Sequence, residues 1–249
     1  MPRLGLVSSL TGGAVAESAL VNSYSLSFDG SNEYINMAVP SLSDTFSASA
    51  WAKWGADPTG GSDYDYVIAF GGGGTRTLGS IARHADTGGN KNKVYLFDGG
   101  TALVGTNALP VGSWVHIAIV AKPTSDRLTL YVDGSAESIA QPAGDFNISS
   151  STGAIGRLNY VAAHSMIGNI DEVGIWDVAL SADDITAIYN DGVPNDLTNS
   201  ASYDTDRTGD LVGYWRLEEG TGTSTSDSSG NDNTGTLLNT PTWDTDVPS

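Results

Sequence analysis

The chain has 249 residues, 29 Asp plus Glu against 11 Lys plus Arg, a formal net charge of −18, 31 glycines and no cysteine. Contacts to nucleic acid need clustered Lys and Arg, and none occur, so that partner is excluded. The charge also opposes anionic membranes and sulfated glycans while providing carboxylates for divalent cations, and the missing cysteines exclude disulfides and thiolate metal sites.

In chain order, residues 1–20 stand apart. Met1-Pro2-Arg3-Leu4-Gly5-Leu6 and Gly12-Gly13-Ala14-Val15 mix small and apolar residues, as expected of an N-terminal arm that docks on a neighbouring subunit. Residues 21–249 are expected to form one domain, since this length suits a single large β fold. There is no apolar run of 18 residues and no basic segment followed by an apolar one, so neither membrane insertion nor a secretory signal is expected.

The body alternates with a period of two, the signature of half-buried strands. Tyr24, Leu26 and Phe28 alternate with serines, and Tyr34-Ile35 follow the turn at Asp29-Gly30. Phe46, Ala48, Ala50, Ala52 and Trp54 form a longer set. Val67 to Phe70 run into Gly71 to Gly74, and Val94 and Leu96 precede Asp98-Gly99-Gly100 and a short strand near Leu103. Trp114 to Ala121 and Arg127 to Val132 form a hairpin across Lys122 to Asp126, followed by a turn at Asp133-Gly134. Ala154 to Gly156 and Met166 to Trp176 add a further pair.

One helix is expected, capped by Ser181, with Asp183 and Asp184 at its positive end, an Ile185/Ile188/Tyr189 stripe, and Gly192 ending it before Pro194. Pro194 to Asp210 read as a polar surface connector. Strands near Leu211 to Leu217, Thr234 to Leu238 and Trp243 cannot bury a core by themselves. Segment 211–247 must therefore complete sheets begun earlier in the chain.

Three motifs carry a family resemblance: WRLEEGTG at Trp215 to Gly222, DSSGNDNTGTL at Asp227 to Leu237, and IDEVGIWDVALSADDI at Ile170 to Ile185. With Ser23 to Met37 and Gly112 to Ser135, the chain resembles a laminin-G-like, concanavalin A-type lectin domain in circularly permuted order. The resemblance implies an all-β, two-sheet antiparallel jelly-roll sandwich with one short helix. It also implies non-catalytic binding of glycans or proteins, commonly with calcium. The opening MPRLGLVSSLTGGAV resembles the starts of structural proteins of marine bacteriophages. That likeness implies a virion protein, a capsid decoration or fibre-associated module, attached to other virion proteins through the arm. The alternatives are a secreted, extracellular bacterial polysaccharide-binding adhesin and, disfavoured, a laminarinase-like glycosidase. A homo-oligomer is compatible with the chain, although no coiled coil imposes one.

Calcium wants six to eight oxygens, and Asp227, Ser228, Asn231, Asp232 and Asn233 concentrate them in one turn. The resemblance nominates Asp227 and Asn231, with Asp171 as a partner from the preceding strand motif. The other reading of the turn is an Asx-rich loop bonding its own backbone. Asp204 to Asp210 imitate the start of an EF-hand loop, but its twelfth position is Trp215, not Glu.

Retaining glycosidases place two carboxylates about 5 Å apart on one strand face. Asp171-Glu172 are adjacent and are expected on opposite faces, and Glu218-Glu219 lie in a turn. His84, His116 and His164 show no metal-ligand spacing, and His116 reads as a satisfied strand residue. Gly71 to Gly74 lack the Lys-Ser/Thr of a phosphate loop. Trp51, Trp114, Trp176 and Trp215 read as core, whereas Tyr64, Tyr66, Arg83 and Tyr160 are the candidates for a ligand-binding rim.

Overall fold

The computed structural model describes residues 20–39, 42–56, 64–70, 81–84, 89–97, 102–123, 127–139, 152–158 and 164–249. Residues 1–19 of the arm expected over 1–20, the glycine tract 71–74 and Tyr160 lie outside them. The strands are, in chain order, β1 (Ser25–Asp29), β2 (Tyr34–Ala38), β3 (Phe46–Trp54), β4 (Tyr64–Phe70), β5 (Ile81–His84), β6 (Lys93–Phe97), β7 (Ala102–Ala108), β8 (Trp114–Ala121), β9 (Leu128–Val132), β10 (Ser135–Glu137), β11 (Thr152–Ile155) and β12 (Ile167–Trp176). Helix α1 (Ala182–Tyr189) follows, then β13 (Leu211–Trp215), β14 (Ser224–Thr225), β15 (Gly235–Leu238) and β16 (Thr242–Asp244).

They form two antiparallel eight-stranded sheets stacked as a sandwich. The first runs β10-β9-β8-β3-β12-β1-β16, with β13 also paired to β12, and the second runs β14-β15-β2-β11-β4-β5-β6-β7. β1 takes the first half of one edge of β12, through Leu26↔Ile170, and β13 takes the second half, through Val173↔Trp215. β16 pairs with β1 and β15 with β2, so strands late in the chain lie beside the earliest ones in both sheets.

The inner faces meet in one apolar cluster that includes Leu26, Phe46, Trp54, Phe70, Ile119, Ile170 and Trp215. Phe46 of the first sheet meets Phe70 of the second edge-on, with centroids 5.8 Å apart, a packing worth more than its area alone. Gly168, with φ +133°, is required where β12 crosses β3: a Cβ there would lie 2.0 Å from the Lys53 carbonyl oxygen.

The outer face of the first sheet is covered by α1 and the segment after it. Ile185 and Ile188 pack with Trp176, Tyr203, Leu197 and Tyr214 in a second cluster. Ser181 caps the helix in a reciprocal box: its hydroxyl accepts from the Asp184 amide at 3.0 Å, and its own amide donates to Asp184 at 3.1 Å. Asp184 also accepts from the Thr205 amide at 3.0 Å and Arg207 at 3.2 Å, tying down the connector. Burial works to raise its carboxyl, but these donors outweigh it and hold the pKa below the usual range.

Two expectations are corrected here. The helix ends at Tyr189 with Asn190 as its left-handed cap, two residues before Gly192, because asparagine tolerates that conformation. The connector 194–210 is not wholly superficial: Leu197 and Tyr203 are buried, and the Tyr203 hydroxyl donates to the Leu197 carbonyl at 2.6 Å.

Candidate functional site

Alternation along β3 and β8 points Ala50, Ala52, Val115 and Ile117 into the core and leaves Trp51, Lys53, Trp114 and His116 on the outer face. Register places Trp51 opposite His116 and Lys53 opposite Trp114. Against these pack the Asp133-Gly134 turn and the end of α1. Between them lies a groove of about 350 Å³ lined by Trp51, Lys53, Gly112, Ser113, Trp114, Asp133, Tyr189, Gly192 and Ser249.

The groove's parts are held firmly. Trp51 and Tyr189 stack with centroids 5.9 Å apart and planes 25° apart. Gly134, at φ +72°, allows this because a Cβ would lie 2.9 Å from Tyr189 Cδ1. Asp133 accepts from the His116 amide at 2.9 Å and donates its own amide to the His116 carbonyl at 2.9 Å. Burial pushes the Asp133 carboxyl up, partly offset by that amide. Trp114 Nε1 donates to Asp246 at 2.9 Å, and Lys53 forms an ion pair with the same carboxylate. Aromatic faces, carboxylate acceptors and an ammonium donor in a cleft of this size suit a polyhydroxylated ligand such as a sugar.

A second polar cluster lies on the same face of the first sheet. β12 bulges against β3 between Asp171 and Gly174, with Glu172 at φ +48°. Ile170 and Val173 both enter the core, so the two residues between them share the outer face. The expectation that Asp171 and Glu172 point to opposite faces is therefore corrected: the bulge adds one residue to the alternation. Glu172 accepts from the Tyr214 hydroxyl and pairs with Arg216 at 3.4 Å. Asp171 accepts from Asn22 Nδ2 at 3.0 Å and from the Glu172 amide at 3.0 Å. Burial raises the Glu172 carboxyl to about 8, and burial together with the Glu172 charge raises Asp171. Arg216 also donates to the Val21 carbonyl at 2.6 Å, and Glu218 accepts from the Ser23 and Tyr24 amides at 2.9 and 3.0 Å. The cluster latches residues 21–24 to the C-terminal strands, and Asp171 sits opposite groove-lining Trp51 in the β12–β3 pairing.

The Asp227 turn is built around its own carboxylate. Asp227 Oδ1 accepts from the Tyr214 and Ser229 amides, each at 2.9 Å, and Oδ2 from the Asn233 amide and side chain, each at 3.0 Å. Burial tends to raise this carboxyl, but the donors outweigh it and the pKa is lowered. Asn231 donates to the Leu211 carbonyl at 3.2 Å. This donor set fits calcium poorly, since the four N–H bonds already take the lone pairs a cation would need. Among the described residues, no group of three or more His, Cys, Asp or Glu is placed to hold a metal ion.

Of the rim candidates, Tyr64 is half-buried and packs on Tyr95 at 5.7 Å and His164 at 5.2 Å. Tyr66 and Arg83 are fully buried, which corrects the expected exposure. Arg83 pairs with Asp65 at 2.7 Å and lies 5.1 Å from the Trp54 ring centroid, so its charge is satisfied beside the core. The four tryptophans read as core also divide. Trp176, Trp215 and Trp51 are buried, the last beneath the groove it lines, whereas Trp114 is half-buried at the groove. Lys53, Asp133 and Tyr189 were not among the site residues expected from the sequence, where Asp133 reads as a turn and Tyr189 as part of the helix stripe. Their signal is weak: a lysine alternating with Trp51, and a tyrosine ending a short helix.

The family profile described as the concanavalin A-like lectin/glucanases superfamily matches residues 29–186. Among solved structures, a candidate carbohydrate binding protein from Bacteroides ovatus superposes with a TM-score of 0.69 at 20% identity, covering 92% of this chain and 62% of that one. The chain thus spans under two thirds of that protein. A heptameric SAP-like pentraxin from Limulus polyphemus gives a TM-score of 0.55 at 15% identity, over 68% of this chain and 82% of that one. The CBM40 of the Ruminococcus gnavus IT-sialidase gives 0.52 at 13% identity, over 70% of this chain and all of that one. These likenesses show the shared sandwich fold. No curated protein matches the chain.

Proposed function

The chain belongs to the concanavalin A-like lectin/glucanases superfamily, and from that premise we propose that it is a non-catalytic carbohydrate-binding module of an extracellular bacterial protein. The observation that carries the reading is the groove, where Trp114 and Tyr189 provide aromatic surface over buried Trp51, beside Lys53, Asp133 and Asp246. Sugars offer apolar ring faces for stacking and hydroxyls for hydrogen bonds, and both needs are met there. The Bacteroides ovatus likeness supports the same class, and nothing beyond the opening residues favours a virion. Catalysis is disfavoured because Asp171 and Glu172 are engaged with Asn22, Tyr214 and Arg216, and Asp133 is the one acidic side chain among the described residues lining the groove.

A glycan array followed by calorimetry tests the reading. Binding to at least one oligosaccharide is expected, weakened at least tenfold by Trp114→Ala with the melting temperature little changed. An array without binding, or binding indifferent to Trp114, overturns it. Release of reducing sugar from a bound polysaccharide would instead establish a glycosidase. Co-purification with phage particles in fixed stoichiometry, lost on deletion of residues 1–20, would establish the virion reading.

A further inference from the structure

Like Ser49 on the neighbouring strand, His116 has buried polar atoms without a partner. Its side chain is on the outer face and its exposure is 1%, yet neither Nδ1 nor Nε2 has a hydrogen-bond partner. Leaving one such buried atom unbonded costs about 1–3 kcal/mol, and an apolar ring at this position would avoid the cost. Other polar groups on this face show the ordinary pattern: the Ser47 hydroxyl donates to the Val178 carbonyl at 2.8 Å, and both Asp133 and Asp184 accept backbone amides.

The imidazole sits directly behind the groove wall. Its centroid is 5.2 Å from that of Trp51 and 6.1 Å from that of Tyr189, and its backbone is bonded in both directions to Asp133. All three neighbours line the groove. Tyr189 is the half-buried member of the stack: it ends α1, and the chain turns away through Asn190, Asp191 and Gly192, all with positive φ. Uncovering the imidazole requires its ring to rotate off Trp51, and side-chain rotations are fast where a ring reaches solvent.

We propose that the groove continues behind Tyr189 into a second subsite floored by His116, and that this subsite takes a hydroxyl of a neutral sugar. The incoming ring replaces Tyr189 in its near-parallel stack on Trp51. Its hydroxyl then bonds the imidazole nitrogen that the vacated space exposes, donating to it where it is unprotonated or accepting from its N–H. Burial lowers the His116 pKa to about 3, so the ring is neutral and can both donate and accept. A cationic ligand gains nothing from such a floor, which is why the assignment is to neutral hexoses. The inference rests on the groove being the glycan site.

The test uses the full chain, neutral hexasaccharides of glucose, mannose and galactose as probes, and two readouts. His116→Phe is expected to raise the melting temperature, because two unbonded polar atoms are removed, while weakening binding roughly three- to tenfold. In the wild type, the His116 ring ¹⁵N resonances are expected to shift on binding; this readout needs no variant. Binding lost in Trp114→Ala but unchanged in His116→Phe, with still ¹⁵N resonances, overturns the subsite and leaves the groove reading standing. No binding of any probe by the wild type overturns the subsite directly.

Discussion

The outer face of the first sheet buries polar side chains in two places, and they are treated in opposite ways. Around the β12 bulge, Asp171 and Glu172 are surrounded by donors from Asn22, Tyr214 and Arg216, and the result is a latch between chain segments distant in sequence. Behind the groove, His116 has no partner at either ring nitrogen. Buried polarity that is bonded specifies the fold, whereas buried polarity left open beside an aromatic cleft is available to a ligand.

The largest expected effect is at the latch. Burial raises the Glu172 carboxyl from 4.5 to about 8, so the folded chain keeps a proton that the unfolded chain releases above about pH 4.5. Stability from this group is therefore fullest below pH 4.5 and declines as pH rises to 8, by about 1.4 kcal/mol per pH unit where one proton separates the two states. Glu172→Gln is expected to flatten that decline and to raise the unfolding free energy at pH 8 by on the order of 3 kcal/mol, as read by urea denaturation. An unchanged slope would mean that the acids are ionised in the fold.

His116 has the reverse dependence. Its pKa is depressed from 6.5 to about 3, so its contribution is complete above pH 6.5 and is lost as pH falls toward 3. Between pH 4.5 and 6.5 the two slopes oppose each other, and above 6.5 the acids act alone. His116→Phe should remove the acid-side loss and leave the alkaline decline intact, which separates the two regions in one titration.

A smaller effect is expected at the Asp227 turn. Asp227→Ala leaves three amides and the Asn233 side chain without their acceptor, a loss of about 2 kcal/mol. The loss should be equal in calcium and in chelator. A calcium-dependent rise in the wild-type melting temperature that disappears in the variant would restore the metal reading of Asp227 and Asn231.

The strands and the helix were legible because their signals are local. The small inward residues Ala48, Ala50 and Ala52 alternate with larger outward ones, and Ser181 with Asp184 announces a helix start. The bulge was not legible: Glu172 adopts φ +48° without a glycine to signal it, and one extra residue turned two expected faces into one. Arg83 misled for a related reason, since a charged strand residue reads as exposed until Asp65 is found beside it across the pair. The groove was hidden by distance. Residues 51–53, 112–114, 133 and 189–192 meet only after both sheet pairing and helix docking, and Trp51 and Trp114 obey the same alternation whether they fill a core or line a cleft.

The smallest stability effect belongs to the groove's edge. The Lys53–Asp246 pair is partly exposed, with side-chain exposures of 23% and 43%, so Asp246→Ala should cost well under 1 kcal/mol despite removing both this pair and the Trp114 bond. Binding should respond more than folding does. The carboxylate fixes the Lys53 ammonium and the Trp114 indole edge, and releasing both adds side-chain disorder that a ligand must then remove. A several-fold weaker affinity at nearly constant melting temperature is the expected result, measured by calorimetry with whichever hexasaccharide the wild type binds. Equal losses in both quantities would place Asp246 among the latching carboxylates and shrink the open region to His116 and the ring stack in front of it.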